Sequence, residues 1–490
     1  MKYRIQHLNY PMLLRVLGWL LLIESCFMAI PTVTALAYGE TDAIAFVGTL
    51  CVTALVGGLL TMFLKPERTD MGRREGFLLT ASVWVVFSVF GMLPFMFCSA
   101  PISLSDAFFE AMSGFTTTGC SVLTSVEGMS HSIMLWRALM QWIGGMGIIL
   151  FTLAVLPMLN YSGGMQMFNA EVTGIVHEKL RPRISSTAKT LWLIYVSLTA
   201  LLILLLWLGP MDIFDSVCHA FSAMSTGGFS THDNSLAYYN SDYVTIVVTI
   251  FMFFGGTSFA LMFKIFSGDR KALWHNDVFQ TYIFIIGAFY VAFVCSLFYR
   301  HQVGDWRDVT IYPLFQIVST ITSTGLSVCN FEKWGPFILS LIMVLMFTGA
   351  CAGSTSGGAK IDRMLFLVKN SHNELYKCVH PNAVTNVRIN DKVVPSPLVS
   401  KVIAFLCIYV MVIAIGGIAL TALGLPIVDS FFSSFSCVSN TGFGAGMTGQ
   451  AGNFEIVPDA GKWVLSALML TGRLELFTIL TLLTPSFWIK

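Results

Sequence analysis

Charge is what this chain of 490 residues has least of: only 11% are Asp, Glu, Lys or Arg, against about 25% in soluble globular proteins. A water-soluble domain does not fit that deficit. With 28 Lys and Arg against 27 Asp and Glu, no basic surplus points to nucleic acid and no acidic block points to a disordered tail. Metal-type cysteine spacing is lacking as well. The 11 cysteines lie mostly in apolar runs, as at Cys51, Cys98, Cys295 and Cys407, with no CxxC or Cys/His pattern, so they read as small packing residues and not as a zinc site or disulfide framework. No GxxxxGK[ST] occurs, nor a GxGxxG in a strand–helix setting, and the stretch Lys360 to Lys401 is too short for a nucleotide-binding domain, so nucleotide control would have to come from another chain. Nor does a Cys/His or Ser/His nucleophile–base constellation of the kind an intramembrane hydrolase needs stand out. The chain is not expected to be an enzyme.

Long apolar runs are what it has. Hydrophobic residues make up 55%, and a bilayer core about 30 Å thick takes about 20 of them per helix. Uncharged runs extend from Ala43 to Leu64, Phe77 to Ser99, Thr190 to Met211, Tyr243 to Phe263, Val278 to Tyr299, Gly335 to Ala359 and Val402 to Val428. Three more carry charge: Pro11 to Ala37 with Arg15 and Glu24, Ser132 to Leu159 with Arg137, and Trp463 to Ile489 with Arg473 and Glu475. Ten spans are thus expected. The start, MKYRIQHLNYPML, lacks a short apolar core with a small-residue cleavage site, so the first span reads as a retained helix.

Threading ten spans with both termini in the cytoplasm puts 22 of the 28 Lys and Arg inside, as the positive-inside rule demands. Arg300, Arg307, Lys333 and Lys462 fall outside, while Arg137 and Arg473 lie within spans. Fifteen of the 27 acidic residues fall outside, among them Asp106, Glu110, Asp215, Asp233, Glu332 and Asp429. The near-zero net charge therefore conceals about +12 inside and −11 outside, and an anionic outer face concentrates cations.

Four segments align without gaps: SDAFFEAMSGFTTTGCSV at 105–122, FDSVCHAFSAMSTGGFST at 214–231, IYPLFQIVSTITSTGLSV at 311–328 and VDSFFSSFSCVSNTGFGA at 428–445. A glycine stands thirteen residues after the second position of each, at Gly119, Gly228, Gly325 and Gly442, spaced by 109, 97 and 117 residues. Each segment lies between two apolar runs, giving units at 71–160, 161–266, 267–370 and 371–490 behind a two-helix leader at 1–70. The helix-like part, such as Asp106 to Thr116, is about 16 Å long at 1.5 Å per residue, half a bilayer core. It should dip in and return. Non-helical backbone is tolerated at that depth only where protein buries it or water lines it, so four such segments imply one central aqueous path. Rings of backbone carbonyls replace the hydration shell of a cation in a narrow pore. A residue whose backbone must bend to aim them is best a glycine.

These segments, ending TTTGCS, STGGFS, TSTGLS and SNTGFG, resemble the filter loops of the Trk/Ktr/HKT superfamily of potassium transporters. The resemblance covers about residues 70 to 490, and the two leading helices make the chain more similar to the membrane subunit of the Trk system than to the shorter Ktr type. It implies an all-α polytopic protein of the cell inner (plasma) membrane, with four M1–pore helix–M2 repeats in pseudo-fourfold arrangement around one pore. The potassium filter would then comprise Thr117, Thr118 and Gly119, Thr226, Gly227 and Gly228, Ser323, Thr324 and Gly325, and Asn440, Thr441 and Gly442. Potassium ligands would come from the last two of each trio. Serine at the first filter position goes with sodium preference in HKT-like relatives, so Gly119 argues for potassium; Cys120 beside it departs from the small residue expected there and reads as packing. The resemblance also implies a homodimer and a cytosolic TrkA-like nucleotide-binding regulatory ring. Potassium is the only ion implied, and no organic cofactor is.

A gate is expected below the filter. FTGACAGSTSGGAK, Phe347 to Lys360, holds Gly349, Gly353, Ser354, Gly357, Gly358 and Lys360, and each glycine costs about 1 kcal/mol against alanine in a helix. An irregular intramembrane loop or a small-residue helix seam would both suit it; the resemblance favours the loop, obstructing the pore until it moves. Arg473 lies ten residues into the last span with Glu475 two residues on, too close along the helix to share a face. A charge at such depth faces a cavity or a partner: a pore-facing gating cation, as the family implies, or one half of a salt bridge to another helix. Glu24 and Arg137 read as interface or packing charges, and His219 and His232 as solvated or packed histidines. A secondary transporter with inverted repeats is the rival architecture, but four units of the same sense favour a single pore. Whether flux through it is passive or coupled to protons or sodium is left open.

Overall fold

The computed structural model describes residues 8–66, 71–145, 147, 184–300, 306–390, 392–449 and 453–488. The second half of the expected Ser132–Leu159 span lies outside these, as do Lys2, Arg4, Arg68, Lys179, Arg181, Arg183 and Lys490.

Two leading helices, Tyr10–Tyr38 and Ala43–Phe63, form a hairpin. The first begins where Asn9 Oδ1 accepts from the Met12 backbone N–H at 3.2 Å and Pro11 supplies a ready-made first-turn φ. Small residues let the two axes come together: a Cβ on Gly18 would sit 2.9 Å from the Gly57 carbonyl oxygen, and one on Gly57 2.8 Å from that of Gly18.

Each of the four units then supplies a leading helix, a short helix and a following helix. The leading helices are Arg73–Gly91, Ile184–Trp207, Asp277–Tyr299 and Ser396–Ala422. The short helices, Leu104–Phe115, Ile213–Met224, Ile311–Ile321 and Ile427–Ser439, are 11 to 13 residues long and largely buried. Two begin on side-chain caps: Ser103 Oγ accepts from Asp106 N at 3.2 Å, and Asp212 Oδ1 from Asp215 N at 2.9 Å. The following helices start at His131–Gly145, Asp242–Gly255, Pro336–Thr348 and Asp459–Arg473.

The following helices are broken more widely than the one interruption expected at Phe347–Lys360. Six described helices are long and apolar enough to cross a bilayer, and two further pairs qualify only as bent spans. Asp242–Gly255 turns by 100° into Phe259–Phe266, and Asp459–Arg473 by 116° into Phe477–Leu483. Pro336–Thr348 stops after 13 residues and gives way to irregular chain. The cause is local: GG at Gly255 and Gly256, TGA at Gly349 and TGR at Gly472 carry glycine where a helix needs side chains to shield its backbone. Arg473 accordingly closes a helix at a break, with Glu475 and Leu476 at positive φ, and is not mid-helix as expected. The stretch after Lys360 forms the amphipathic helix Ile361–Val379 and a two-residue antiparallel hairpin pairing Arg388 with Val393 and Ile389 with Lys392.

Candidate functional site

The four repeated segments converge. After each short helix the backbone N–H of the residue before the repeated glycine turns back to a helix carbonyl: Thr118 to Ser113 at 2.9 Å, Gly227 to Ser222 at 2.9 Å, Thr324 to Ser319 at 2.8 Å and Thr441 to Ser436 at 3.0 Å. One residue earlier the chain is left-handed four times, at Thr117 (φ 54°), Thr226 (54°), Ser323 (52°) and Asn440 (51°). For residues with a Cβ that conformation costs about 1–2 kcal/mol each, so four at matched register are held there by their surroundings. The repeated glycines follow with φ of 88°, 88°, 80° and 84°.

Contacts among these glycines close a ring. A Cβ on Gly119 would overlap the carbonyl oxygen of Gly227; on Gly228, that of Thr324; on Gly325, that of Thr441; on Gly442, that of Thr118. Each unit thus presses one carbonyl on the preceding unit's glycine, and the first unit closes the cycle on the fourth. Glycine is required twice over, by its φ and by this approach.

Side chains around the repeated glycines brace the ring, Gln141 among them, which the sequence did not single out. Glu110 and Arg137, both buried, pair at 2.8 Å. Glu110 also accepts from Val122 N at 3.0 Å and Ser121 Oγ at 3.0 Å, while Arg137 donates to the Ser230 carbonyl at 3.3 Å and lies 4.1 Å from the Phe229 ring centroid. Arg137, expected to be an interface or packing charge, and Glu110, expected among the outward-facing acids but buried, therefore tie the chain beyond Gly119 to the chain beyond Gly228. Asn440 Nδ2 donates to Thr118 Oγ1 at 2.8 Å and to the Met469 carbonyl at 3.0 Å. Gln141 spans Gly228, donating to the Gly227 carbonyl at 2.8 Å and accepting from Phe229 N at 3.1 Å. Cys120 is buried with its Sγ 3.9 Å from that of Cys437, a packing position as expected. His219 is buried between the Asp215 carbonyl and Ser230 Oγ, and His232 meets Asp215 Oδ2 at 3.0 Å. In the loop after Gly228, burial and a hydrogen bond to Asp215 push the Tyr239 hydroxyl well above its usual pKa, so it stays a donor.

The 347–360 stretch is non-helical from Gly349 onward and lies against the ring. Gly357 N donates to Ser323 Oγ at 2.6 Å, and a Cβ on Gly357 would overlap the Ser439 carbonyl. Thr355 Oγ1 donates to the Gly255 carbonyl at 3.0 Å, and the Gly353 carbonyl accepts from Phe259 N at 3.0 Å. Ser354 bonds within the loop, to Cys351 O and Ser356 Oγ. Gly349 and Gly358 have φ of 63° and 77° and pack on each other, and Lys360, buried at φ 74°, donates to the Ser356 carbonyl. Arg473 reaches this loop from the opposite side: it donates to the Thr355 carbonyl at 3.0 Å and the Gly144 carbonyl at 2.6 Å. Glu475 pairs with Arg363. The sequence marks Glu475 as no partner for Arg473 but does not reveal Thr355 or Arg363, which are over a hundred residues away in the chain.

The family model for TrkH cation transport proteins matches residues 43–488. The chain belongs to the TrkH family. It is 38% identical to the Trk system potassium uptake protein TrkH of Escherichia coli K12, over 98% of this chain and all of that one, and 31% identical to TrkG of the same strain, over 96% and 97%. The crystal structure of the potassium transporter TrkH from Vibrio parahaemolyticus superposes with a TM-score of 0.89 at 34% identity, covering 98% of this chain and all of the other. As a TrkH-family chain it is a helical membrane transporter and not an enzyme, and its glycine ring and the irregular loop beneath are features of a transport protein's interior.

Proposed function

We propose that this chain takes up potassium across the cell inner membrane through the ring of Gly119, Gly228, Gly325 and Gly442. The observation that carries the proposal is the closed cycle of carbonyl-on-glycine contacts, which makes four segments of one chain into one constriction. A potassium ion entering it sheds water and takes up carbonyl oxygens from Thr117–Gly119, Thr226–Gly228, Ser323–Gly325 and Asn440–Gly442. The four short helices act as pore helices, and the broken following helices open room below for the gate. In the closed state Gly357 caps Ser323, while Arg473 locks the loop through Thr355 and sets a positive charge beneath the filter, where it opposes a cation. Opening releases both contacts. The two termini lie in the cytoplasm in this proposal, the basic inner face receives a TrkA-like nucleotide-binding ring, and the membrane subunit pairs as a homodimer.

Rubidium uptake into proteoliposomes tests the proposal. Uptake that sodium blocks poorly and potassium blocks well is expected. Gly119→Ser should lower the preference for potassium at least severalfold, because its Cβ and hydroxyl enter the space of the Gly227 carbonyl; no uptake by folded protein, with or without a proton or sodium gradient, sinks it.

A further inference from the structure

Three of the four ring segments have threonine before the glycine, at Thr118, Thr324 and Thr441; the second has Gly227. Each threonine hydroxyl is locked to a hydroxyl two residues earlier: Thr116 at 2.8 Å, Thr322 at 2.7 Å and Ser439 at 2.8 Å. The second segment keeps the earlier hydroxyl, Ser225, but it donates instead to the Ser222 carbonyl at 3.0 Å. Gly227 and Gly228 in succession should leave that stretch the loosest of the four.

The vacancy is filled from the neighbouring unit. A Cβ on Gly227 would overlap the Gln141 amide carbon, and the amide grips the backbone on both sides of Gly228. Gln141 stands three residues before Gly144, whose Cα abuts the Phe115 carbonyl at the end of its own unit's short helix. Gly255 and Gly472 abut the corresponding carbonyls of Met224 and Val438, and Gly349 caps the third following helix, Pro336–Thr348. Three residues before these lie Met252, Met346 and Met469, all fully buried. The helix that carries an amide thus precedes the segment that lacks threonine, and the helices that carry methionine precede the segments that have it.

We propose that Gln141 is the positioning residue of the second filter segment, its amide standing in for the missing threonine and setting ion selectivity by holding the Gly227 carbonyl. The inference rests on the ring being the ion filter. Among the described residues, no hydrogen bond reaches the carbonyls of Thr118, Thr324 or Thr441, whereas that of Gly227 is engaged at 2.8 Å. The ring therefore offers three free carbonyls and one whose direction is fixed and whose negative end is partly neutralised by a donor. Such a ring coordinates a cation asymmetrically, and its discrimination depends on that one carbonyl not swinging.

Competition for rubidium uptake by potassium and sodium in proteoliposomes decides it, with folding followed by gel filtration and melting temperature. Gln141→Met, which gives the first unit the residue of the other three, should lower the potassium preference about tenfold, the loss expected from one buried, geometry-fixing hydrogen bond pair. Adding Gly227→Thr to it rebuilds the methionine–threonine combination of the other units and should recover most of that loss. A wild-type preference in Gln141→Met, or a double variant no better than the single one, overturns the proposal. Where the single variant does not fold, the double variant decides alone: selective uptake supports the exchange, and misfolding or unselective uptake overturns it. Gly119→Ser in the same assay separates the two levels, since a wild-type preference there overturns the filter itself, while an altered one beside an unaltered Gln141→Met overturns only the role of Gln141.

Discussion

Leading and following helices of this protein have the same kind of hydropathy and opposite fates. Asp277–Tyr299 runs unbroken for 23 residues with most of its surface outward, whereas Asp242–Phe266, as apolar overall, bends by 100° at Gly255 to Ser258. A leading helix meets lipid on one side, where any apolar side chain serves. A following helix meets the end of a short helix at van der Waals distance, and only glycine fits there: Gly144 lies against the Phe115 carbonyl and Gly472 against that of Val438. Among the described residues, the helices that bend do so at Gly255 and Gly472, where this approach to the Met224 and Val438 carbonyls is made. Hydropathy places a segment in the membrane; glycine placement tells which segments pack against the short helices.

That contrast can be broken in stages. The largest effect is expected at Glu110→Ala, where a short helix loses its grip on the following helix and Arg137 is left buried without its carboxylate; about 3–5 kcal/mol of stability should go, measured as a fall in melting temperature in detergent. Retained stability would mean that water or another group compensates Arg137. Gly144→Ala should come next, costing about 1–3 kcal/mol from the added methyl at a filled site, with lower uptake from the protein that remains; an unchanged melting temperature would show that the close approach is not needed. Arg473→Ala should leave folding nearly intact and raise basal rubidium uptake about fivefold, the shift given by removing ~1 kcal/mol of net hydrogen bonding from the closed state. A lower uptake at normal yield would make Arg473 a structural tie instead. The smallest change is expected at Gly287→Ala on a leading helix, where nothing lies within 4 Å of the new methyl; a gain of at most ~1 kcal/mol and unaltered uptake should follow, and a loss of uptake would show that leading helices are not passive.

Much of this was legible in the residues. The fourfold register, the glycines at 119, 228, 325 and 442, and the irregularity after Phe347 all follow from local composition, because a glycine's φ and a helix's tolerance for glycine are properties of a few neighbouring residues. The breaks at Gly255 and Gly472 were equally local, yet apolar flanks hid them: hydropathy averages over a window and registers no angle. The Glu110–Arg137 tie, Gln141 on Gly227, and Arg473 on Thr355 were not legible. Their partners lie 27, 86 and 118 residues apart, and no periodicity links residues on different elements.

The sequence by itself determined that the chain lives in a membrane, that it is a leader followed by four like units, and that each unit must bend its backbone at one glycine, since burial of apolar surface and backbone sterics act residue by residue. Only the tertiary structure decided that the four bends meet in a closed ring, which carbonyl faces which glycine, and which side chains hold them, because a contact between units depends on how whole helices pack and not on any stretch of one of them.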